Sequence, residues 1–391
     1  MAPVKVKFYK MSKAKSKEQK IAAVGMSGGV DSAVAALLLK QQGFEVVGVT
    51  MKIWKGKNNP KIAHNVCFGP GEINDIRAAK RAAKILGIKH KVIDLSGEYR
   101  RYVLDYYKKE RLAGRTPNPC VACNQKIKFG FLAANAASAG IQFDYFATGH
   151  YARKIYDRCR RRWLLLRGVD PKKDQSYFLY RLNQAQLRRA LFPLGEMTKD
   201  KVKEIARASG LAEFAQKKES QDFTESGGEN QILPAAKKSG DIVDMAGNIV
   251  GAHEGYFNFT IGQRRGLRIG GLAAPVYVAD IDACKNRVIV GKKNEVQTDN
   301  FQVGKLRWVA FGKLQKKMRS RVRVRSSGEI VSCLVVPQDG GRVLVKLDEP
   351  QFAIAPGQSA VFYDNDTVLG GGVIVRAGFP RGKTRGNSSP A

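Results

Sequence analysis

The chain has 391 residues, with 68 Lys and Arg against 34 Asp and Glu, a formal net charge of +34. Such an excess repels itself in a compact fold unless a polyanion offsets it, so nucleic acid or an anionic membrane surface is the expected partner. No apolar run of 18 residues is present to span a bilayer. Six Cys are too sparse for a disulfide scaffold, and the amino terminus lacks the apolar core of a secretory signal, so the reducing cytoplasm is the expected setting.

The length predicts two or three domains. Residues 1–20, with seven Lys, read as a basic flexible arm. A buried strand is expected over 21–26, a Gly-rich turn over Ser27–Ser32 and an apolar helix over Ala33–Gln41. A strand over Phe44–Thr50 follows, then a helix over Asn74–Leu86 ending at Gly87, and a strand over Lys89–Leu95. Helices over Gly97–Leu112 and Gln125–Ala139 lead to a strand at Phe143–Thr148. Strands alternating with helices of this length predict a parallel sheet covered on both faces. Ligands of such sheets bind beyond the carboxyl ends of the strands, where Gly25–Ser32, Met51 and Thr148–His150 all fall.

From about residue 245 the texture becomes β-rich. Val276–Asp280, Arg287–Val290, Val322–Arg325, Ile330–Val336, Val343–Leu347 and Ser359–Tyr363 are short runs punctuated by Gly, Asn, Asp and Pro, the pattern of small antiparallel units or a barrel. Residues 216–245 are polar and carry no clear pattern. The expected division is a loop-bearing α/β domain over 21–218, a small central domain over 219–295, a β-barrel over 296–377 and a flexible tail over 378–391.

Ser27-Gly28-Gly29-Val30-Asp31-Ser32 sits between a strand and a helix. Glycines let backbone amides turn toward an anion, the helix start adds partial positive charge, and the two Ser hydroxyls can donate to phosphate oxygens. No Lys follows the glycines, so this is not a Walker loop. It resembles the SGGxDS loop of enzymes that split ATP into AMP and pyrophosphate. Asp31 is an odd neighbour for a bare polyphosphate, and bridging Mg²⁺ would account for it.

Six segments occur in order: GMSGGVDS (25–32), GRTPNPCVACNQKIKFG (114–130), ATGHYAR (147–153), KDQSYFLY (173–180), FTIGQRRGLRIGG (259–271) and APGQSAVFYDNDTVLGGG (355–372). Together they resemble the tRNA-specific 2-thiouridylases of the MnmA type. The resemblance implies an ATP-pyrophosphatase domain, a small central domain and a carboxy-terminal β-barrel that grips tRNA. It further implies that the wobble uridine is adenylated at its C2 oxygen and then thiolated, with sulfur supplied by a donor protein or sulfide. ATP would be held by Gly25, Met26, Ser27, Gly28, Gly29, Val30, Asp31, Ser32, Met51 and Gly149. His150, Lys173, Asp174, Gln175, Arg325 and Gln358 would touch the tRNA. Arg325-Ser326 stands where the family commonly has Arg-Tyr.

The cysteines depart from the family pattern. The usual loop reads NPDxxCN with one catalytic Cys, and a second Cys lies far downstream. Here the loop is Asn118-Pro119-Cys120-Val121-Ala122-Cys123-Asn124, and Thr224 occupies the downstream position. Cys120 and Cys123 are the catalytic candidates. With Cys67 they make three thiols that could hold a [4Fe–4S] cluster with one iron open. The alternatives are zinc with His64 as a further ligand, a dithiol that carries sulfur and closes to a disulfide, or inert thiols. Cys159, Cys284 and Cys333 read as incidental. Arg158–Arg162 and Lys316–Arg325 are basic clusters suited to phosphate contacts, while Thr260–Gly266 reads either as an RNA-facing turn or as a structural one. Two rival functions remain at this point: another ATP-pyrophosphatase ligase or amidotransferase, and a non-catalytic tRNA-binding homologue.

Overall fold

The computed structural model describes residues 19–57, 67–216, 223, 232–233, 239–270 and 274–378. Residues 1–18 of the basic arm, His64, Thr224 and the tail from 379 lie outside the described residues. The described residues fall into two compact units, one drawn from 1–98, 124–176 and 182–223, the other from 99–123, 177–181 and 224–391.

The first unit is built on β1 (Ile21–Gly25), whose Ala22, Ala23 and Val24 are fully buried, as expected for a strand covered on both faces. The chain continues through α1 (Val30–Gln41), β2 (Glu45–Lys52), α2 (Glu72–Leu86) and β3 (Lys89–Asp94). Gly87 ends α2 in the left-handed conformation, φ 61°, where a side chain would be strained. A helical run follows as α3 (Ser96–Tyr99), a π-helical turn (Arg100–Leu104) and α4 (Asp105–Leu112), the chain passing into the second unit at Tyr99. A second run is α5 (Pro119–Ala122), a π-helical stretch (Cys123–Leu132) and α6 (Ala133–Ser138); the chain returns to the first unit at Asn124 and leads to β4 (Tyr145–Ala147).

Beyond β4 come β5 (Ala152–Asp157) and β6 (Arg162–Arg167), an antiparallel hairpin, then α7 (Gln184–Arg189), β7 (Ala190–Leu191), α8 (Lys199–Ala208) and α9 (Ala212–Gln216). The parallel sheet runs β3-β2-β1-β4-β7. Its strand order reverses between β1 and β4, and the crevice beyond their carboxyl ends is where an open α/β sheet places its ligand. α1, α2 and α8 pack together through Val34, Leu38, Ala79, Ala83, Val202 and Ala206, so the helix that follows the Gly-rich loop is locked on two sides.

The second unit holds two β structures. β8 (Gly240–Val243), β9 (Ile249–His253), β10 (Tyr277–Asp282) and β11 (Arg287–Gly291) form a sheet in the order β10-β11-β8-β9. β12 (Gln297–Trp308), β13 (Met318–Arg323), β14 (Val331–Gln338), β15 (Arg342–Phe352), β16 (Ser359–Asp364) and β17 (Thr367–Ala377) run antiparallel in the order β12-β15-β14-β13-β16-β17. β17 pairs back onto β12 and closes a six-stranded barrel. The expected fold class holds: a parallel-sheet α/β domain, a small β domain and a carboxy-terminal barrel. Three local expectations shift. α1 begins at Val30 rather than Ala33, the β texture begins at Gly240 rather than 245, and the CxxC segment is helical rather than a loop.

Candidate functional site

The loop after β1 is shaped by its glycines. Gly28 has φ +75° and packs against α2, where a Cβ would lie 3.1 Å from the Ala78 methyl and collide with the Asp75 carbonyl. Gly29 caps α1 in an extended conformation, and no side chain caps the helix. The first-turn amides of a helix have no intrahelical acceptor, so this end favours an anion. Inside the turn the Ser27 amide donates to Ser32 Oγ (3.2 Å), which itself donates to the Gly29 carbonyl (3.0 Å). Thr50 at the end of β2 donates to the Met26 carbonyl (2.7 Å) and lies 2.8 Å from His90 Nε2, fixing the loop's entry beside half-buried Met51.

Asp31, in the first turn of α1, is not bare. Both of its carboxylate oxygens accept from Lys199 Nζ, at 2.8 and 2.9 Å, and Oδ1 also accepts from the Tyr151 hydroxyl at 2.8 Å. Lys199 opens α8 behind the cap residue Thr198 and is itself buried. Gly149 is pressed against this turn, for a Cβ there would stand 2.7 Å from the Asp31 carbonyl carbon and 2.8 Å from the Ser32 nitrogen. The residues fit a polyphosphate: uncapped amides at the helix start, the exposed Ser27 hydroxyl and a buried ammonium paired with Asp31, while the Ser32 hydroxyl is buried and holds the turn itself. Tyr151 and Lys199, which meet Asp31 at this turn, are residues that sequence reasoning did not single out.

In the second unit Cys120 lies in α5 and Cys123 opens the π-helical stretch that continues it. Pro119 holds the first helical position, where its missing N–H costs nothing, and the Asn118 side chain caps the helix by accepting from the Val121 amide (3.4 Å). Cys120 is half-buried and Cys123 buried. Three positions apart in helical geometry, they project from the same helix face. Nearby, Gln358 Nε2 donates to the Pro117 carbonyl (3.4 Å) and the Thr116 amide to the Pro356 carbonyl (2.8 Å).

Residues 19–224 match the tRNA methyl transferase HUP domain, 230–292 the tRNA methyl transferase PRC-barrel domain and 298–374 the aminomethyltransferase beta-barrel domain. The tRNA-specific 2-thiouridylase MnmA 2 of Caldanaerobacter subterraneus subsp. tengcongensis is 46% identical over 360 residues, covering 90% of this chain and 97% of that protein. The tRNA-specific 2-thiouridylase MnmA of Endomicrobium trichonymphae is 44% identical over 355 residues, covering 90% and 98%. The chain belongs to the tRNA-specific 2-thiouridylase family.

Within this 2-thiouridylase-family chain, most residues that the resemblance assigns to RNA are tied into the protein. His150 is 8% exposed, with Nδ1 2.7 Å from Thr148 Oγ1 and its ring beside Phe129. Burial, aided by the nearby Lys128 charge, holds its pKa well below the usual value, so the ring is neutral near pH 7. Asp174 Oδ1 accepts from the amides of Gly168 (3.2 Å) and Ser176 (3.1 Å), and Oδ2 pairs with Arg167 (3.4 Å). Gln175 Oε1 accepts from the Tyr151 amide at 3.1 Å, which links the KDQ segment to the partner of Asp31. Arg325 donates to the Phe352 carbonyl, and Lys173 is half-buried.

The Thr260–Gly266 segment is anchored at its start and exposes two arginines. The buried Arg111 donates to the Phe259 carbonyl and Thr260 Oγ1, both at 3.0 Å, while Arg264 and Arg265 are exposed. Cys67 is exposed ahead of α2, Cys159 and Cys284 are exposed, and Cys333 is buried in β14, where burial pushes its thiol up to about 12. Among the described residues, no three His, Cys, Asp or Glu side chains converge closely enough to hold a metal ion. No helix among them is long and apolar enough to cross a membrane.

Proposed function

We propose that this chain is a tRNA 2-thiouridylase that uses ATP to adenylate the C2 oxygen of the wobble uridine, releases pyrophosphate, and exchanges the activated oxygen for sulfur. The observation that carries the reading is the uncapped start of α1 behind Ser27–Gly29, with the Lys199–Asp31 pair beneath it. A uracil carbonyl oxygen is a poor leaving group, and AMP makes it a good one. The amides of Gly28–Ser32 would hold the phosphates of ATP, and Lys199 would offset the charge that develops as pyrophosphate separates. Mg²⁺ belongs to this reading as the counter-ion of the nucleotide. The target base must leave its stack to be reached, as in other base-modifying enzymes.

The sulfur chemistry falls to Cys120 and Cys123. Their shared helix face supports a dithiol carrier. The terminal sulfur of a persulfide on one Cys attacks C2 and AMP departs. The other thiolate then attacks the first Cys sulfur, releasing 2-thiouridine and closing a disulfide. Hydrosulfide attack on that disulfide regenerates one persulfide and one thiolate, so the cycle balances on sulfide alone. A second reading, a [4Fe–4S] cluster bound by Cys67, Cys120 and Cys123, draws on the CxxC spacing and the extra thiol. The dithiol is the better supported of the two, because the shared helix face supplies two thiols and no set of three His, Cys, Asp or Glu among the described residues could hold a metal ion.

Purified protein with ATP, sulfide and unmodified tRNA should release one pyrophosphate and one AMP per 2-thiouridine formed. Cys120→Ala and Cys123→Ala should keep pyrophosphate release and lose thiolation. Cys67→Ala should stay active if the dithiol operates, and should lose both iron and thiolation in anaerobically prepared protein if the cluster does. A small-molecule ligase would release pyrophosphate without tRNA, and a non-catalytic tRNA binder would release none.

A further inference from the structure

The CxxC helix is held in place by groups outside it. α5 is the first turn of a helical run that continues without a break through Leu132, and the start of a helix is where its amides lack intrahelical acceptors and outside groups can anchor it. Its cap, Asn118, is engaged at three groups. Oδ1 accepts from Val121, the backbone amide donates to the Tyr106 hydroxyl (3.2 Å), and Nδ2 donates to the Tyr177 hydroxyl (3.4 Å). Tyr177 is fully buried, and its hydroxyl donates onward to the Ser359 carbonyl on β16 (3.0 Å). One step earlier in the chain the barrel turn grips the backbone directly. The Thr116 amide donates to Pro356, and Gly357 at φ +93° sits so close that a Cβ would lie 2.7 Å from the Thr116 carbonyl oxygen. Gln358 adds its amide to the Pro117 carbonyl.

We propose that Tyr177 and the turn Pro356-Gly357-Gln358 are positioning elements through which the barrel sets the place of the CxxC helix, with the Tyr177 hydroxyl as the bridge. This rests on the reading of Cys120 and Cys123 as the sulfur-handling pair. A phenol can accept from an amide and donate to a carbonyl at once, which is the combination Asn118 and Ser359 require. Phe at 177 keeps the ring and leaves a buried amide N–H and a carbonyl unpaired, so the cap residue loses one of its anchors. Small displacements of reacting groups cost rate steeply, on the order of 10²-fold for about 1 Å. Gln358 contributes to this anchoring through the Pro117 carbonyl.

The test compares wild type, Tyr177→Phe and Gly357→Ala as full-length proteins. Alkylation of Cys120 and Cys123 by iodoacetamide is followed against pH without substrates and read by peptide mass spectrometry. Single-turnover thiolation, ATP-dependent pyrophosphate release and tRNA Kd are then measured. Tyr177→Phe should displace the alkylation–pH profile and slow single-turnover thiolation by about tenfold or more, with pyrophosphate release and Kd within about twofold of wild type. Gly357→Ala, whose methyl presses on Thr116 without opening a buried gap, should do the same. An unchanged alkylation profile with unchanged thiolation overturns the proposal. So does a parallel rise in Kd, which would make these residues part of the RNA-docking surface. If the variants shift thiol reactivity but wild type forms no 2-thiouridine, the functional reading fails while the positioning role stands.

Discussion

Lys199 reaches across 168 residues of sequence to place its ammonium 2.8 and 2.9 Å from the two carboxylate oxygens of Asp31. The carboxylate in the phosphate loop therefore sits over a buried cation, and Tyr151 donates to the same carboxylate from the strand edge beyond β4. A polyphosphate entering the loop would meet a carboxylate already paired with an ammonium.

Asp31→Ala should lower ATP-dependent pyrophosphate release at least 10²-fold while leaving tRNA Kd within about twofold. Lys199→Ala should act on the same step and also destabilise the fold. It strands a carboxylate, at a cost on the order of 2 kcal/mol, toward the low side because the Asp31 side chain keeps 28% exposure. The double variant should melt above the Lys199→Ala single variant yet recover no activity. Calorimetry and a pyrophosphate assay read both effects. Wild-type pyrophosphate release in either single variant would remove this loop from the nucleotide site.

His150 gives the protein a pH signature. Its folded pKa lies well below the unfolded value of about 6.5, because the ring is buried and Lys128 is near. Below about pH 6.5 the unfolded chain takes up a proton that the folded chain does not. Stability is therefore complete above that pH and falls as pH drops toward the folded pKa, with a limiting slope of about 1.4 kcal/mol per pH unit from this group. His150→Asn should flatten the decline in melting temperature between pH 6.5 and 5.5. His90 and His253, also held low by burial, should leave a residual slope. An identical decline in wild type and variant would contradict the assignment.

The β5–β6 hairpin turns through Arg158, Cys159, Arg160 and Arg161, all exposed, with Asp157 paired to Arg160 at 3.0 Å. If this tip contacts tRNA phosphates, replacing Arg158, Arg160 and Arg161 by Ser should reduce the slope of log Kd against log salt by about 2 to 3. Binding at low salt should weaken, and pyrophosphate release with saturating tRNA should hold. An unchanged slope would make the hairpin a solvated face.

The parallel sheet was readable because local signals agree there: apolar strands, Gly at the turns and a Gly87 cap all point the same way. The loop over Gly25–Ser32 was readable for the same reason. Asn118 and Pro119 are in fact a helix-start signal, so the helical CxxC could have been inferred from sequence in place of a loop. Lys199 could not. It is one of 68 basic residues, and only tertiary packing of α8 against α1 shows which carboxylate it meets. Tyr177 and Gly357 were hidden similarly, since their partners on the CxxC segment lie far along the chain. His150 and Asp174 carry family motifs that tie them to RNA, and the hydrogen bonds their side chains make inside the protein had no signal in the sequence.

If this chain makes 2-thiouridine in tRNA at the expense of ATP, nucleoside mass spectrometry of cellular tRNA will register its loss. Cells lacking the gene should lose wobble 2-thiouridine, a wild-type copy should restore it, and Asp31→Ala or Cys123→Ala copies should not. Unaltered 2-thiouridine in the deletion strain, or restoration by Asp31→Ala, would contradict the account.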